Sequence, residues 1–509
     1  MCSNADNNVY LNSIVLRASA QFIFEERLIN MFHRRFLGAR AKGRASRAFF
    51  PSPVARGAMW SVVALAILSA PISAQTPDTP PAAQTTDQKL EQLQQKVDEL
   101  DQAVKVAQRK QELAEEAAAE KAKTEATVTA DTSGFTIQSP GGNYRLKIGA
   151  DLQVDNRTYL GTGAGSDIDT LVLRRARPTF FGTIYQNIDF MFRPDFGQGT
   201  TAIYDAYVQL NYLPWANLRV GKFKPPVGLE RLQSDDDTTF NERGLPSDLG
   251  PQRDIGYQLS ASLFKKRVNY AVGVFNGVPD ASIGTDAAVS DHRDYAARVF
   301  LTPFLPEEGL LSGLGFGLGA SGGNTDGEAL PAFKTFGQQT FFTFVSGVTA
   351  AGHRTRLDPQ AYYYLGAFGL LTEYALNEEG FQKSGVRREI AFRAYQVEVS
   401  YILTGEKKSF LSPTPKKSFD PLHGGWGAWE LAARVGDWEA EKGIYNYGLA
   451  SDTTSPRHLH EWVGGVNCYL NRLFKVAADY GKTDFGGGAL NSNKLPERII
   501  LLRFQVNFI

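Results

Sequence analysis

TAIYDAYVQLNYLPWANLRVGKFKPPVGLERLQSDDDTTFNERGLPSDLGPQRDIG, residues 201–256, decides the fold. Tyr204, Ala206, Val208, Leu210 and Tyr212 fall on one face of its first segment; Asp205, Tyr207, Gln209 and Asn211 fall on the other. A period of two predicts a strand in a sheet with one apolar and one wet face. A second strand pattern follows. Then, from about Pro225 to Arg253, apolar periodicity disappears and charges of both signs take over, before strand resumes at Tyr257. A connection of that length is functional or disordered. If the sheet closes into a membrane barrel, such a loop can fold inward and narrow the channel.

The same alternation spreads outward from Gly134 to the end. Tyr144, Leu146, Ile148, Ala150, Leu152 and Val154 alternate with Arg145, Lys147, Gly149, Asp151, Gln153 and Asp155. Late in the chain, Phe474, Val476, Ala478 and Tyr480 oppose Lys475, Ala477 and Asp479; Ile500, Leu502, Phe504, Val506 and Phe508 oppose Leu501, Arg503, Gln505 and Asn507. Strand-like segments from Asn143 onward number about 16, an even count within the range of bacterial barrels. GTGAGSD (161–167), GGNTDGE (322–328) and FGGGALNSN (485–493) read as hairpin loops. Tyr159, Tyr212, Trp215, Trp429 and Trp438 stand near strand ends, as aromatic girdles would. Periodicity by itself fits a soluble sandwich and a membrane barrel equally, because a barrel inverts inside and outside without changing the pattern.

Residues 1–74 differ from the rest. They hold 9 Lys/Arg against 3 Asp/Glu, which leaves 45 and 51 in the remainder of a chain of zero formal charge. A nucleic-acid binder would more often be basic. The basic run Arg34 to Arg56, the apolar run Trp60–Leu68 and Ser69-Ala70-Pro71-Ile72-Ser73-Ala74 form a secretory signal cut after Ala74. Met31 and Met59 are alternative starts. Residues 75–86 are a Pro/Thr linker. Leu90, Leu93, Val97, Leu100, Val104 and Ala107 then keep a 3-4 spacing, the apolar seam of a short coiled coil. Cys468 is alone after processing, which excludes an intrachain disulfide; it reads as an outward apolar residue. His458 and His460 are a surface pair without a third ligand nearby. Nucleophile elbow, phosphate-binding Gly loop and zinc-ligand spacing are all missing, so the chain reads as a non-enzyme with no cofactor.

Several ordered motifs carry a family likeness: GKFKPPVGLERL (221–232), FNERGLPSDLGPQRDIGY (240–257), NYAVGVFNG (269–277), SYILTGEKKSF (400–410), GAWELAARV (427–435), NCYLNRLFKVAADY (467–480) and the terminal RFQVNF. Together they resemble the phosphate-selective porin O and P family of Gram-negative outer membranes, over residues from about 134 onward. That resemblance implies an all-β transmembrane antiparallel barrel over 132–509, exported by the 1–74 signal, with 75–131 as linker and coiled coil. It implies a water-filled channel for small anions such as phosphate or polyphosphate, seated in outer-membrane lipid and assembled as a homotrimer. A general diffusion porin is the alternative within that architecture. A tether reaching peptidoglycan through the coiled coil is the alternative outside it.

Oxyanions are met best by Arg and Lys. Parity places Arg145, Lys147, Arg193, Arg219, Arg298, Arg434, Lys475 and Arg503 on the water side, with Asp151, Asp155, Asp189, Asp205, Asp294, Glu398, Glu430 and Asp479. The candidate constriction residues are Lys222, Lys224, Arg231, Arg243 and Arg253, with Asp205 as the nearby carboxylate. Lys222 and Lys224 share parity with Leu218 and Val220. A bulge near Gly221, or departure from the wall at Pro225, would be needed to turn them inward. Arg174, Arg175 and Arg177 form a further cluster whose direction parity leaves open. The Asp235-Asp236-Asp237 run would repel anions from the eyelet or cap a solvated tip.

Overall fold

Inward charge and outward grease close on themselves. The computed structural model describes residues 86–131, 134–161, 168–283, 287–288, 290–488 and 494–508. The signal segment, the 75–85 linker and the loop centres at 162–167 and 489–493 lie outside them. A long helix, α1 (Thr86–Thr124), exposes every described side chain, including Leu93, Val97 and Leu100. A hairpin follows, β1 (Thr127–Asp131) with β2 (Gly134–Gln138), and β2 pairs with the start of β3 (Tyr144–Tyr159).

From β3 the chain goes up and down as β4 (Thr170–Ile184), β5 (Ile188–Asp195), β6 (Ala202–Leu213), β7 (Ala216–Phe223), β8 (Asp254–Leu263), β9 (Val268–Phe275), β10 (Asp294–Leu301) and β11 (Leu314–Asp326). A small hairpin, β12 (Phe333–Lys334) with β13 (Thr340–Phe342), interrupts the wall. The wall resumes with β14 (Val348–Leu365), β15 (Phe368–Lys383), β16 (Val386–Ile402), β17 (Ala428–Ala440), β18 (His458–Tyr469), β19 (Phe474–Gly486) and β20 (Glu497–Asn507). β20 pairs back onto β3, Arg503 opposite Asp155, so 16 antiparallel strands close with no free edge. Closure gives each wall strand a neighbour on both sides, so that no row of backbone N–H and C=O groups is left unpaired at an edge, as hydrocarbon demands. GGNTDGE is mostly strand: β11 runs to Asp326, because residues 322–326 pair with 351–355.

Val208, Leu259, Val299, Leu318, Val397, Leu431 and Phe504 stand outward and exposed, while Asp155, Gln153, Arg434, Asp479 and Arg503 are buried inside. Short turns at 185–187, 214–215, 264–267, 366–367 and 470–473 mark one end. Short turns are the periplasmic side of such barrels. Tyr212, Trp215 and Trp429 stand outward at that end, as girdle residues do. Tyr159 and Trp438 do not: both face inward, where the Tyr159 hydroxyl donates to the Gly337 carbonyl at 2.7 Å and Trp438 is 1% exposed. Cys468 sits at outward parity opposite Trp429 and Val476. His460 lies 3.0 Å from Asp437 and His458 3.6 Å from Glu439.

Much of the lumen is solid. Segment 327–347 enters the long-loop end and seats Phe333, Phe341 and Phe342 against the inward side chains Phe392, Trp438, Leu459 and Phe485. Trp438 is central, its ring 5.0 Å from Phe333, 4.9 Å from Phe341 and 5.4 Å from Phe342. At the opposite end the long segment 403–427 reaches in: the Phe410 carbonyl accepts from Gln233 at 2.7 Å, and Ser412 N–H donates to Asp237 at 2.7 Å. Removing so large a buried ring leaves a cavity that its neighbours only partly fill. Trp438→Ala is expected to cost roughly 3–5 kcal/mol of unfolding free energy, read by urea titration of circular dichroism in detergent; an unchanged midpoint would deny the cluster its structural role.

Candidate pore constriction

Residues 224–253 leave the wall after β7 and cross the lumen. The N–H groups of Leu229 and Glu230, opening the one-turn helix α2 (Leu229–Leu232), donate to Glu373 of β15 at 2.6 and 3.2 Å. Glu230 in turn accepts from Gln396 of β16 at 3.0 Å. Further on, the chain presses against β17 to β20. Lys475 donates to the Thr238 carbonyl at 2.8 Å, Asn467 to Thr239 at 2.8 Å, and Asn241 N–H to Asp479 at 2.8 Å. Arg503 clasps Asp155 with two bonds of 2.6 and 2.8 Å, reaches Glu242 at 3.0 Å, and also bonds the Asn241 carbonyl. Phe240 fills the space beside Gly465, where an added Cβ would lie 3.0 Å from the ring. The crossing therefore seals the β15–β20 side and leaves open space against β4 to β10.

Two cavities flank it there. The first, about 500 Å³, is walled from β5 to β10 and lined by Arg193, Arg219, Lys224, Arg253 and Arg298 with Asp205 as its carboxylate. The second, about 180 Å³, lies on the long-loop side and is lined by Arg174, Arg175, Arg231, Arg243 and Lys334 with Glu242 and Asp248. Tyr204 lines the second, its ring sandwiched by the guanidiniums of Arg177 at 3.8 Å and of Arg253, which lines the first, at 4.1 Å. Cations stacked on both faces of one ring hold each other in place against their own repulsion.

Two bulges make this arrangement. Register shifts between Gln153 and Val154, opposite Arg174, so that Arg174 and Arg175 both turn inward while Leu173 stays out. It shifts again at Arg193/Pro194, opposite Tyr204, which turns Tyr204 inward beside Asp205 instead of leaving it on the face of Val208. An extra residue in one strand breaks the two-residue period, which is why alternation misplaced Tyr204 and could not place the arginine cluster.

Pairing then decides which charges are held. Arg174 forks onto Glu242 at 2.6 and 2.8 Å. Asp235 lies among Arg175, Arg177 and Arg243, bonded to the latter two. Burial opposes its ionisation, but those guanidiniums hold its carboxyl well below the usual range. The Asp235-Asp236-Asp237 run is thus neither repulsive eyelet nor solvated tip: Asp235 organises the arginines, and Asp236 and Asp237 face away towards Asn507 and Ser412. Burial, with Arg253 and Arg243 nearby, pushes the Lys224 ammonium well below its ordinary value; it donates to the Gln233 carbonyl at 2.6 Å. Burial likewise lowers Arg231 to about 10.

Of the constriction residues expected from sequence, Lys224, Arg231, Arg243, Arg253 and Asp205 come together. Lys222 is set apart. No register shift occurs at Gly221, so Lys222 stays opposite Ala206 and Ile255 at outward parity, although buried. Arg193, Arg219 and Arg298 line the larger cavity, whereas Arg434, Lys475 and Arg503 pin the crossing segment to the far wall. Arg145 and Lys147 stand near the periplasmic end of β3, Arg145 on Thr183 at 3.3 Å and Lys147 over the Phe181 ring at 5.9 Å. Alternation gave no sign of Lys334 and Gln338, which come from the inserted 327–347 segment.

A family model for phosphate-selective porins O and P matches residues 143–508. The chain belongs to the phosphate-selective porin O and P family. Among curated proteins, Porin O of Pseudomonas aeruginosa is 24% identical over 408 residues, covering 70% of this chain and 89% of that one. Among solved structures, the outer membrane channel DcaP of Acinetobacter baumannii is 11% identical, with 74% of this chain and 100% of that one covered at a TM-score of 0.48. OprB of Pseudomonas putida is 11% identical, with 71% and 94% covered at 0.46. The protein is an outer-membrane porin, and its family is one of channels.

Asp248 gives this porin a pH-sensitive charge. Burial, offset by Arg231, raises its carboxyl to about 7, and it faces the outer cavity. A raised carboxyl is neutral below that value and ionised above it. Lowering pH from 8 to 6 therefore removes one negative charge from the cavity, and anion over cation permeability should rise. Reversal potentials across that range test this; Asp248→Asn should fix the ratio at its low-pH level, and a ratio in Asp248→Asn that still climbs as pH falls would assign the effect elsewhere.

Proposed function

We propose that this porin passes small anions of the phosphate class along the β4–β10 side of its lumen. One observation carries the reading: basic side chains outnumber carboxylates in both cavities flanking the crossing segment, five to one in the larger and five to two in the smaller, in a chain whose residues after 74 are net acidic. Donor capacity supports it too. Among the described residues, Arg175 Nε, Arg177 Nη2 and Arg231 Nε are buried without a hydrogen-bond partner. A buried donor left unmade costs about 1–3 kcal/mol. An oxyanion shedding part of its hydration is met instead by the guanidiniums that line the two cavities, Arg219, Arg253 and Arg298 in one and Arg231 and Arg243 in the other, which is how a constriction selects.

The outer-membrane setting leaves α1 on the periplasmic side, where its exposed Leu93, Val97, Leu100 and Val104 seam joins copies of the chain, a homotrimer in this reading. In a parallel pairing Lys96 faces Asp101 of the next helix, and Lys110 faces Glu115.

Planar-bilayer recording tests the channel. A potassium chloride gradient should give an anion-selective reversal potential, with phosphate blocking chloride current. Arg243→Gln with Arg253→Gln should lower the anion-to-cation ratio severalfold; cation preference in the unsubstituted protein would refute the anion assignment. Deleting residues 75–131 should lower the melting temperature of the oligomer on gels without altering conductance per pore. An oligomer equally stable after deletion would remove the coiled coil from assembly.

A further inference from the structure

We propose that the periplasmic half of the lumen carries an aromatic shelf that binds the planar ring of an organic anion, with Arg298 taking the charged end. The inference rests on the anion-channel reading and adds the class of solute.

The shelf is built on missing side chains. β11 presents Gly315 and Gly317 to the lumen, and an added Cβ at Gly315 would meet the Phe300 and Tyr362 rings, each at 2.7 Å. At Gly317 it would meet Phe300 at 2.7 Å. Glycine there lets rings from the two neighbouring strands lie over β11 and touch. Phe300 of β10 and Tyr362 of β14 pack at 5.0 Å with their planes tilted by 36°; Tyr362 continues to Tyr364 at 4.9 Å and to Phe410 at 5.7 Å, each tilted by 32°. Leu229 and Leu371 pack behind Phe300, tying the shelf to the base of the crossing segment.

Its open side borders a cavity whose charged lining residues, Lys408 and Glu307, are both held in ion pairs. Tyr362, Tyr364, Phe410 and Leu411 border a cavity of about 410 Å³. Among the described residues neither tyrosine hydroxyl has a partner in the protein. Lys408 also borders this cavity, but Glu430 holds its ammonium at 2.6 Å. Arg298 is different. Its guanidinium lies 4.5 Å from the Phe300 centroid, its Nε donates to Gln360 at 2.9 Å, and its terminal nitrogens have no partner among the described residues. It also lines the 500 Å³ cavity, so its contact with Phe300 joins the wall of that cavity to the shelf. Purely inorganic anions need no rings in their path. Rings beside an unpaired guanidinium, with hydroxyl donors along the way, fit a phosphate or carboxylate that carries an aryl group, since aromatic faces attract other π-systems.

Phenyl phosphate and inorganic phosphate, added to the periplasmic side of single channels in chloride, separate the two claims. Phenyl phosphate should block at ~tenfold lower concentration than inorganic phosphate. That ratio should fall to about one in Tyr362→Ala and in Phe410→Ala and persist in Tyr362→Phe, with barrel folding checked by heat-modifiable migration on gels. A ratio near one in the unsubstituted protein, or one that Tyr362→Ala leaves intact, overturns the shelf. Failure of both phosphates to block overturns the anion channel, and the shelf with it.

Discussion

Arg503 closes the structure and divides it. Its guanidinium holds Asp155 across the seam where β20 meets β3, and with its remaining donors holds the Asn241 carbonyl and Glu242 of the crossing segment. A buried guanidinium is tolerated when carboxylates and carbonyls surround it, and removing one partner of such a group costs about 3–5 kcal/mol. The ring closure and the placement of the constriction therefore share one set of bonds. Arg434, Lys475 and Asp479 extend that set along the same wall, so the segment cannot drift toward β4 without stranding several charges.

Asymmetry follows from this anchoring. One side of the lumen is packed like the core of a soluble protein, with Trp438 and a ring of phenylalanines above and segment 403–427 below. The other side keeps open cavities, and most of the charged side chains that line them are basic. Apolar filling narrows the polar space and surrounds it with low-dielectric material, which strengthens the field of each guanidinium there. Carboxylates are present in number, but most are spent on arginines that would otherwise repel one another. Asp235 among Arg175, Arg177 and Arg243 is the clearest case.

Interruptions of the strand rule coincide with the cavities. The bulges at Arg174 and Tyr204 put two adjacent residues inside where regular strand allows one, and both supply the constriction. Inward glycines do the converse on β11, deleting side chains so that neighbouring rings meet. Regular wall holds the barrel, and its local exceptions shape the path.

Alternation, the signal-like leader and the seven ordered motifs determined a 16-strand outer-membrane barrel, because side-chain parity and turn chemistry are properties of neighbours in the chain. They also named Lys224, Arg231, Arg243 and Arg253, which the fold brings together around the crossing segment. They could not place Tyr204 or Arg174, since one added residue reverses parity without changing composition. Nor could they separate Arg298, without an ion-pair partner among the described residues, from Arg503, bound to a carboxylate 348 residues away. Charge pairing and lumen filling join segments remote in sequence, so which cations remain available to a solute was decided only when the wall closed and the loops folded in.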